Sequence, residues 1–200
     1  MPAFPEGSKA IRARIRSYER ALKKEKEAYG FYDDGHGKRY LLGPLYLLLG
    51  DVKGALAHFA WFEEMFPDDM GEPAHHLCWS LALYKSGNET AAARRLLRAM
   101  LSNLYLIPHL LGEQQEEYDI WHSSNWEMKE YVDGMPYEIV SLWNEQEKTW
   151  AKKIFDSQKA RTIRARYVEI YRQLKTEKPG LKRRQLVEES TNLRNIEDDS

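Results

Sequence analysis

The chain has 200 residues, 42% of them hydrophobic and 12% aromatic, enough for a sizeable core and too many for a wholly disordered polymer. Charged residues at 30%, with only 12 Gly and 8 Pro, suit a helical protein, and a single cysteine excludes an internal disulfide. The net charge of −1 hides a layered distribution: +4 over residues 1–50, −10 over 51–150 and +5 over 151–200, so the basic ends are expected to fold against the acidic middle or to meet an anionic partner.

Met1-Pro2-Ala3-Phe4-Pro5 leads into a charged segment without an apolar leader. The longest apolar stretch, Leu45 to Leu49, is far too short to cross a bilayer. The expectation is a cytoplasmic protein with no membrane partner. Ser8 is placed to cap a first helix running to Tyr29, with Ile11, Ile15, Tyr18 and Leu22 as its buried stripe and a strongly basic opposite face. Gly30 and Asp33-Asp34-Gly35-His36-Gly37 end it.

Two similar units follow, at an offset of 37 residues. Leu42-Gly43, Tyr46, Gly50-Asp51, Ala55-Leu56, Phe59 and Phe62 recur as Trp79-Ser80, Leu83, Gly87-Asn88, Ala92-Ala93, Leu96 and Ala99. A fixed period of this size marks one helix-turn-helix unit copied and stacked, since neither copy buries its apolar face alone. Gly50-Asp51 and Gly87-Asn88 supply a left-handed helix end followed by a capping side chain.

Beyond Pro108 the repetition decays into an acidic segment (Glu113, Glu116, Glu117, Asp119) with Trp121 and Trp126. From Pro136 to Lys178 no glycine occurs and no proline after Pro136 itself, which predicts helix. The apolar face of Val140, Trp143, Trp150 and Ile154, with Glu147 the exception, changes phase at Asp156-Ser157, a good N-cap pair, so two helices are predicted. A short helix over Leu181 to Glu189 closes the chain. The resulting organisation is a basic helix and loop over 1–38, two repeats over 39–107, a Trp-rich extension over 108–178 and a charged tail over 179–200.

The two copies resemble tetratricopeptide repeats. In the first, Leu42-Gly43, Tyr46, Gly50-Asp51, Ala55-Leu56, Phe59 and Pro67 match that family's pattern; in the second, Trp79, Leu83, Gly87-Asn88, Ala92, Leu96 and Ala99 do. Ser80 replaces the usual glycine, Leu104 the usual proline and Phe62 an alanine, and Asp69-Met70-Gly71 accounts for a period longer than the family's ~34 residues. The resemblance implies an all-α stack of antiparallel helix pairs whose first helices line a concave, peptide-docking surface. Tyr40, Leu47, Leu77, Leu81, Tyr84 and Lys85 would point into that groove. Most of these are apolar, so something must cover them: the chain's own first helix or Trp143 and Trp150 helix, or a partner's amphipathic helix.

The expected function is a non-catalytic adaptor that binds a protein or peptide, with no cofactor. The alternative is an accessory protein for RNA or DNA, working through basic helices at 9–26 and 159–184. There Arg161, Arg164, Arg166, Arg172 and Lys175 would meet phosphates, with Tyr167 and Tyr171 interleaved. Against it stand a pI of about 6.6 and tyrosines that fall on the apolar stripe. Self-association through the repeat ends is compatible with either reading. No metal-ligand spacing, nucleophile elbow or phosphate loop occurs; Cys78 reads as a small core residue.

Overall fold

A computed structural model describes residues 4–195. Regular structure among these residues is entirely helical, as expected: eleven α-helices and one 3-10 turn, Asn125–Glu127. The chain divides into two compact units, Met1–Ala92 with Pro136–Trp143, and Ala93–Met135 with Asn144–Ser200.

The first unit opens with α1 (Ser8–Tyr29). Ser8 is the first helical residue rather than the cap; Gly7 holds that place, at φ 79°, with no side-chain cap bond. Ile11, Ile15 and Leu22 are buried as expected, Tyr18 only partly. On the opposite face Arg12, Arg16, Arg20 and Lys24 follow one another at i,i+4, three like-charge pairs costing roughly 1 kcal/mol together. Burial of each aliphatic side chain contributes about 1.5–3 kcal/mol. Packing therefore decides, and α1 is a helix because α2 (Lys38–Leu48) lies against it.

α2 is followed by α3 (Val52–Met65) and, after Phe66-Pro67-Asp68, by α4 (Pro73–Lys85). These three pack against one another pairwise. Pro44 lies inside α2, so the Tyr40 carbonyl loses its normal intrahelical donor; His75 Nδ1–H donates to it instead, at 3.4 Å. Gly43 allows α3 to approach, because a Cβ there would stand 2.3 Å from Phe59 Cε1. The Phe59 ring stacks on Trp79 with centroids 5.1 Å apart.

The turn after α2 recurs after α4, bond for bond. Gly50 and Gly87 take φ 74° and 85°. Gly50 N–H donates to Leu47 O and Asp51 N–H to Tyr46 O; Gly87 and Asn88 do the same to Tyr84 O and Leu83 O. Asp51 then accepts from Gly54 N–H at 2.8 Å, and Asn88 from Ala91 N–H at 3.2 Å, starting α3 and α5 (Glu89–Ser102). Every one of these pairs is related by the 37-residue offset read in the sequence. The unit also contains α8 (Tyr137–Ser141).

The second unit holds the remainder of α5, α6 (Leu106–Leu110), α7 (Lys129–Asp133), α9 (Glu145–Phe155), α10 (Gln158–Thr176) and α11 (Leu181–Arg194). α9 packs on α6 and α10, and α10 on α11. The 136–178 stretch is three helices, not two. The expected break at Asp156-Ser157 is present, with Ser157 Oγ accepting from Ala160 N–H at 3.2 Å. A further break lies at Leu142–Asn144, where Asn144 Oδ1 accepts from Glu147 N–H at 3.0 Å and Glu147 Oε2 accepts from Asn144 N–H at 2.8 Å. This reciprocal capping box explains why Glu147 interrupts an apolar face, and it separates Trp143 from Trp150. The last helix also runs further than Glu189, to Arg194, whose guanidinium reaches Tyr167, Tyr171 and Glu127.

Candidate interaction site

The first unit carries a cleft of about 560 Å³. Its floor is α2, through Leu42 and Tyr46; one wall is α1, through Leu22, Lys23 and Lys26; the other is α3, through Ala57, His58 and Trp61. Tyr32, from the α1–α2 loop, closes one end and meets Trp61 edge-on at 5.1 Å. The cleft exists because α1 and α3 both pack on α2, leaving its Leu42 and Tyr46 between them.

The walls are held by polar bonds that a sequence reading does not supply. Asp34, in the acidic glycine-rich loop, is buried at 2% exposure and has φ 36°. Its carboxylate accepts from Lys38 N–H at 2.9 Å and Arg39 N–H at 2.8 Å, so it starts α2, and it also faces the Lys38 ammonium and the Arg39 guanidinium. Glu25 of α1 accepts from Asp34 N–H and the Lys38 ammonium, and these bonds hold its carboxyl below the usual range. Tyr46 O–H donates to Glu19 at 2.5 Å, tying the cleft floor to its α1 wall. His58 Nε2–H donates to Arg39 O at 2.7 Å; burial pushes its pKa down to about 4, so the ring is neutral. The rim is thus charged and the interior apolar, aromatic and uncharged.

Of the expected groove residues, Tyr40, Leu47, Leu77 and Leu81 are buried, Tyr84 is half-buried and Lys85 is exposed. Tyr40 packs on the rings of Phe62 and His75 and donates its hydroxyl proton to Asp69 at 2.7–2.8 Å. Burial and the neighbouring carboxylate push its pKa up. A docking segment cannot touch these four without first displacing what covers them.

The five basic residues expected on one nucleic-acid face all lie on α10, in varied surroundings. Arg166 is bidentate to Glu189, both bonds 2.6 Å; Lys175 pairs with Asp119; Arg172 lies 3.9 Å from Glu169. Arg164 is half-buried, its guanidinium 4.0 Å from the Phe155 ring centroid and donating to Phe155 O at 3.4 Å. Arg161 is exposed. Tyr167 and Tyr171 stack on each other at 4.3 Å inside the unit, where they accept from Arg194, and offer no face to a base.

The acidic segment is partly engaged as well, Glu113 accepting from Lys152 at 2.5 Å. Cys78 is fully buried, and burial drives its thiol pKa far up. His76 Nε2–H donates to Met70 O at 2.7 Å, fixing the loop before α4.

Along the chain from Tyr32, Tyr29 and Phe31 leave 64% and 59% of their surface in solvent. No helix among the described residues is long and apolar enough to cross a membrane. Comparison with protein-family models, curated proteins and solved structures returned no match to this chain.

Proposed function

We propose that the protein is a non-catalytic adaptor of tetratricopeptide-like build. It would seat the apolar face of a partner's amphipathic helix in the cleft between α1 and α3, against the accessible Tyr46, Ala57 and Trp61. The observation that carries this reading is the cleft itself: Tyr32, Tyr46, Ala57 and Trp61, all at least partly exposed, line about 560 Å³ under a rim bearing Lys23, Lys26, Glu19 and Glu27. Apolar anchors at i and i+3 or i+4 of a helix would fill it, and the mixed rim would set register. The exposed Tyr29 and Phe31 beside Tyr32 add the aromatic contacts that dominate such interfaces. The recurrent Gly-Asp and Gly-Asn turns support the repeat reading. Docking at Tyr40, Leu47, Leu77 and Leu81 has less support, given their burial.

Ala57 is an exposed residue of the cleft wall, so Ala57→Trp fills the space while leaving the core untouched. Proteins retained from nuclease-treated lysate by the wild type and lost by Ala57→Trp support the proposal. Equal retention by the filled variant, or partners that vanish with nuclease, would overturn it.

A further inference from the structure

α1 carries eight basic and three acidic side chains. Each acid is already engaged: Glu19 by Tyr46, Glu25 by Lys38 and the Asp34 amide, and Glu27 by Lys23 at 3.8 Å. Two of the bases are engaged with rings, Arg14 donating to the Tyr18 hydroxyl at 3.2 Å and Lys26 lying over Tyr32 at 5.4 Å. Arg12, Arg16, Arg20 and Lys24 stand exposed, and none forms an ion pair with any described residue. They are four residues apart, so their charges climb the helix in steps of about 6 Å. Alongside run Ala13, Ser17 and Ala21, also four apart, which with Arg16, Arg20 and Lys24 line a shallow trough of about 450 Å³.

We propose that this face of α1 docks an acidic amphipathic helix of a partner protein. Carboxylates at i and i+4 on such a helix repeat at the same ~6 Å step, so each would meet one cation of the ladder. The small side chains of Ala13, Ser17 and Ala21 let a second helix backbone come close while the arginines reach around it. No aromatic ring lines the trough, so it lacks the stacking platform on which single strands of nucleic acid are held. Like charges at i and i+4 weaken an isolated helix, and an acidic partner removes that penalty on binding. This surface is distinct from the cleft and does not depend on what occupies the cleft.

The test is fluorescence anisotropy of the full chain with labelled probes at low and high salt. The probes are an alanine-based helical peptide with Glu at every fourth residue, its Gln counterpart, single-stranded RNA and duplex DNA. The Glu peptide should bind, the Gln peptide should not, and salt should weaken the complex. The double variant R16E/R20E should lose about tenfold or more in affinity for the Glu peptide and gain affinity for a Lys peptide, a swap that misfolding cannot produce. Ser17→Trp, which fills the trough without changing charge, should weaken binding as well. Equal binding of the Glu and Gln peptides, or no effect of R16E/R20E, would overturn the proposal. So would tighter binding of either nucleic acid with the same dependence on Arg16 and Arg20, which would make the ladder a phosphate-binding face.

Discussion

A methyl group added at Gly43 would meet the Phe59 ring at 2.3 Å, and Phe59 cannot yield, being fully buried and stacked on Trp79. Gly43→Ala is therefore expected to destabilise the fold by about 1–3 kcal/mol, the usual cost of overpacking, despite alanine's better helix propensity. Urea denaturation would show this as a lower midpoint at unchanged slope. His58 makes a second prediction at this scale. Its folded pKa of about 4 lies below the ordinary 6.5, so between those values the unfolded chain takes up a proton that the folded chain refuses. Its contribution is fully present above pH 6.5 and is lost as pH falls toward 4, by roughly 3 kcal/mol in full. In His58→Gln, whose amide retains a donor for Arg39 O, the fall in stability from pH 7 to pH 4.5 should be smaller by a comparable amount. An identical pH profile would place the acid sensitivity elsewhere.

Among the helices, the capping box at Asn144 and Glu147 separates α8 from α9. Asn144→Ala removes one of its two bonds and should cost about 0.5–2 kcal/mol, visible as earlier thermal unfolding. The sequence already contained this signal: an Asn followed three residues later by a Glu, sitting where an apolar stripe was interrupted. Counting Glu147 as a flaw in one long face hid the helix start that the residue makes. The turns at Gly50-Asp51 and Gly87-Asn88 were legible because a left-handed glycine and a capping side chain are local chemistry. Asp34 was not: its loop looks like solvent-exposed turn sequence, and only the arrival of Lys38, Arg39 and Glu25 makes it a buried hub. The cleft was equally hidden, since it is a gap left by the packing angles of three consecutive helices, and no residue pattern records a gap. The candidate groove residues were chosen for their apolar spacing on first helices, and apolar spacing marks a core face as readily as an exposed one.

At the scale of the whole molecule, the layered charge resolves unevenly. Within the second unit the basic C-terminal third meets the acidic middle at Lys152–Glu113, Lys175–Asp119 and Arg194–Glu127. The basic N-terminal helix has no such counterpart along its ladder among the described residues. Reversing Arg16 should therefore stabilise the protein: Arg16→Glu turns two repulsive i,i+4 pairs into attractive ones and one i,i+3 attraction, to Glu19, into a repulsion, a net gain of about 0.5 kcal/mol at low salt that shrinks as salt is added. Reversing Arg166 should do the opposite, breaking the exposed bidentate pair with Glu189 and leaving two carboxylates facing each other. Melting temperatures of the two variants across a salt series check both signs at once.

Cys78, the chain's one thiol, lies fully buried in α4 with its pKa driven far up. In the closed state it offers a reagent neither access nor thiolate, so modification must await a transient opening of the helix around it. The wild-type protein thus carries its own clock for rare excursions. Where reclosing outruns the chemistry, the labelling rate measures the population of the opened state, and variants such as Gly43→Ala should quicken it in proportion to the stability they remove.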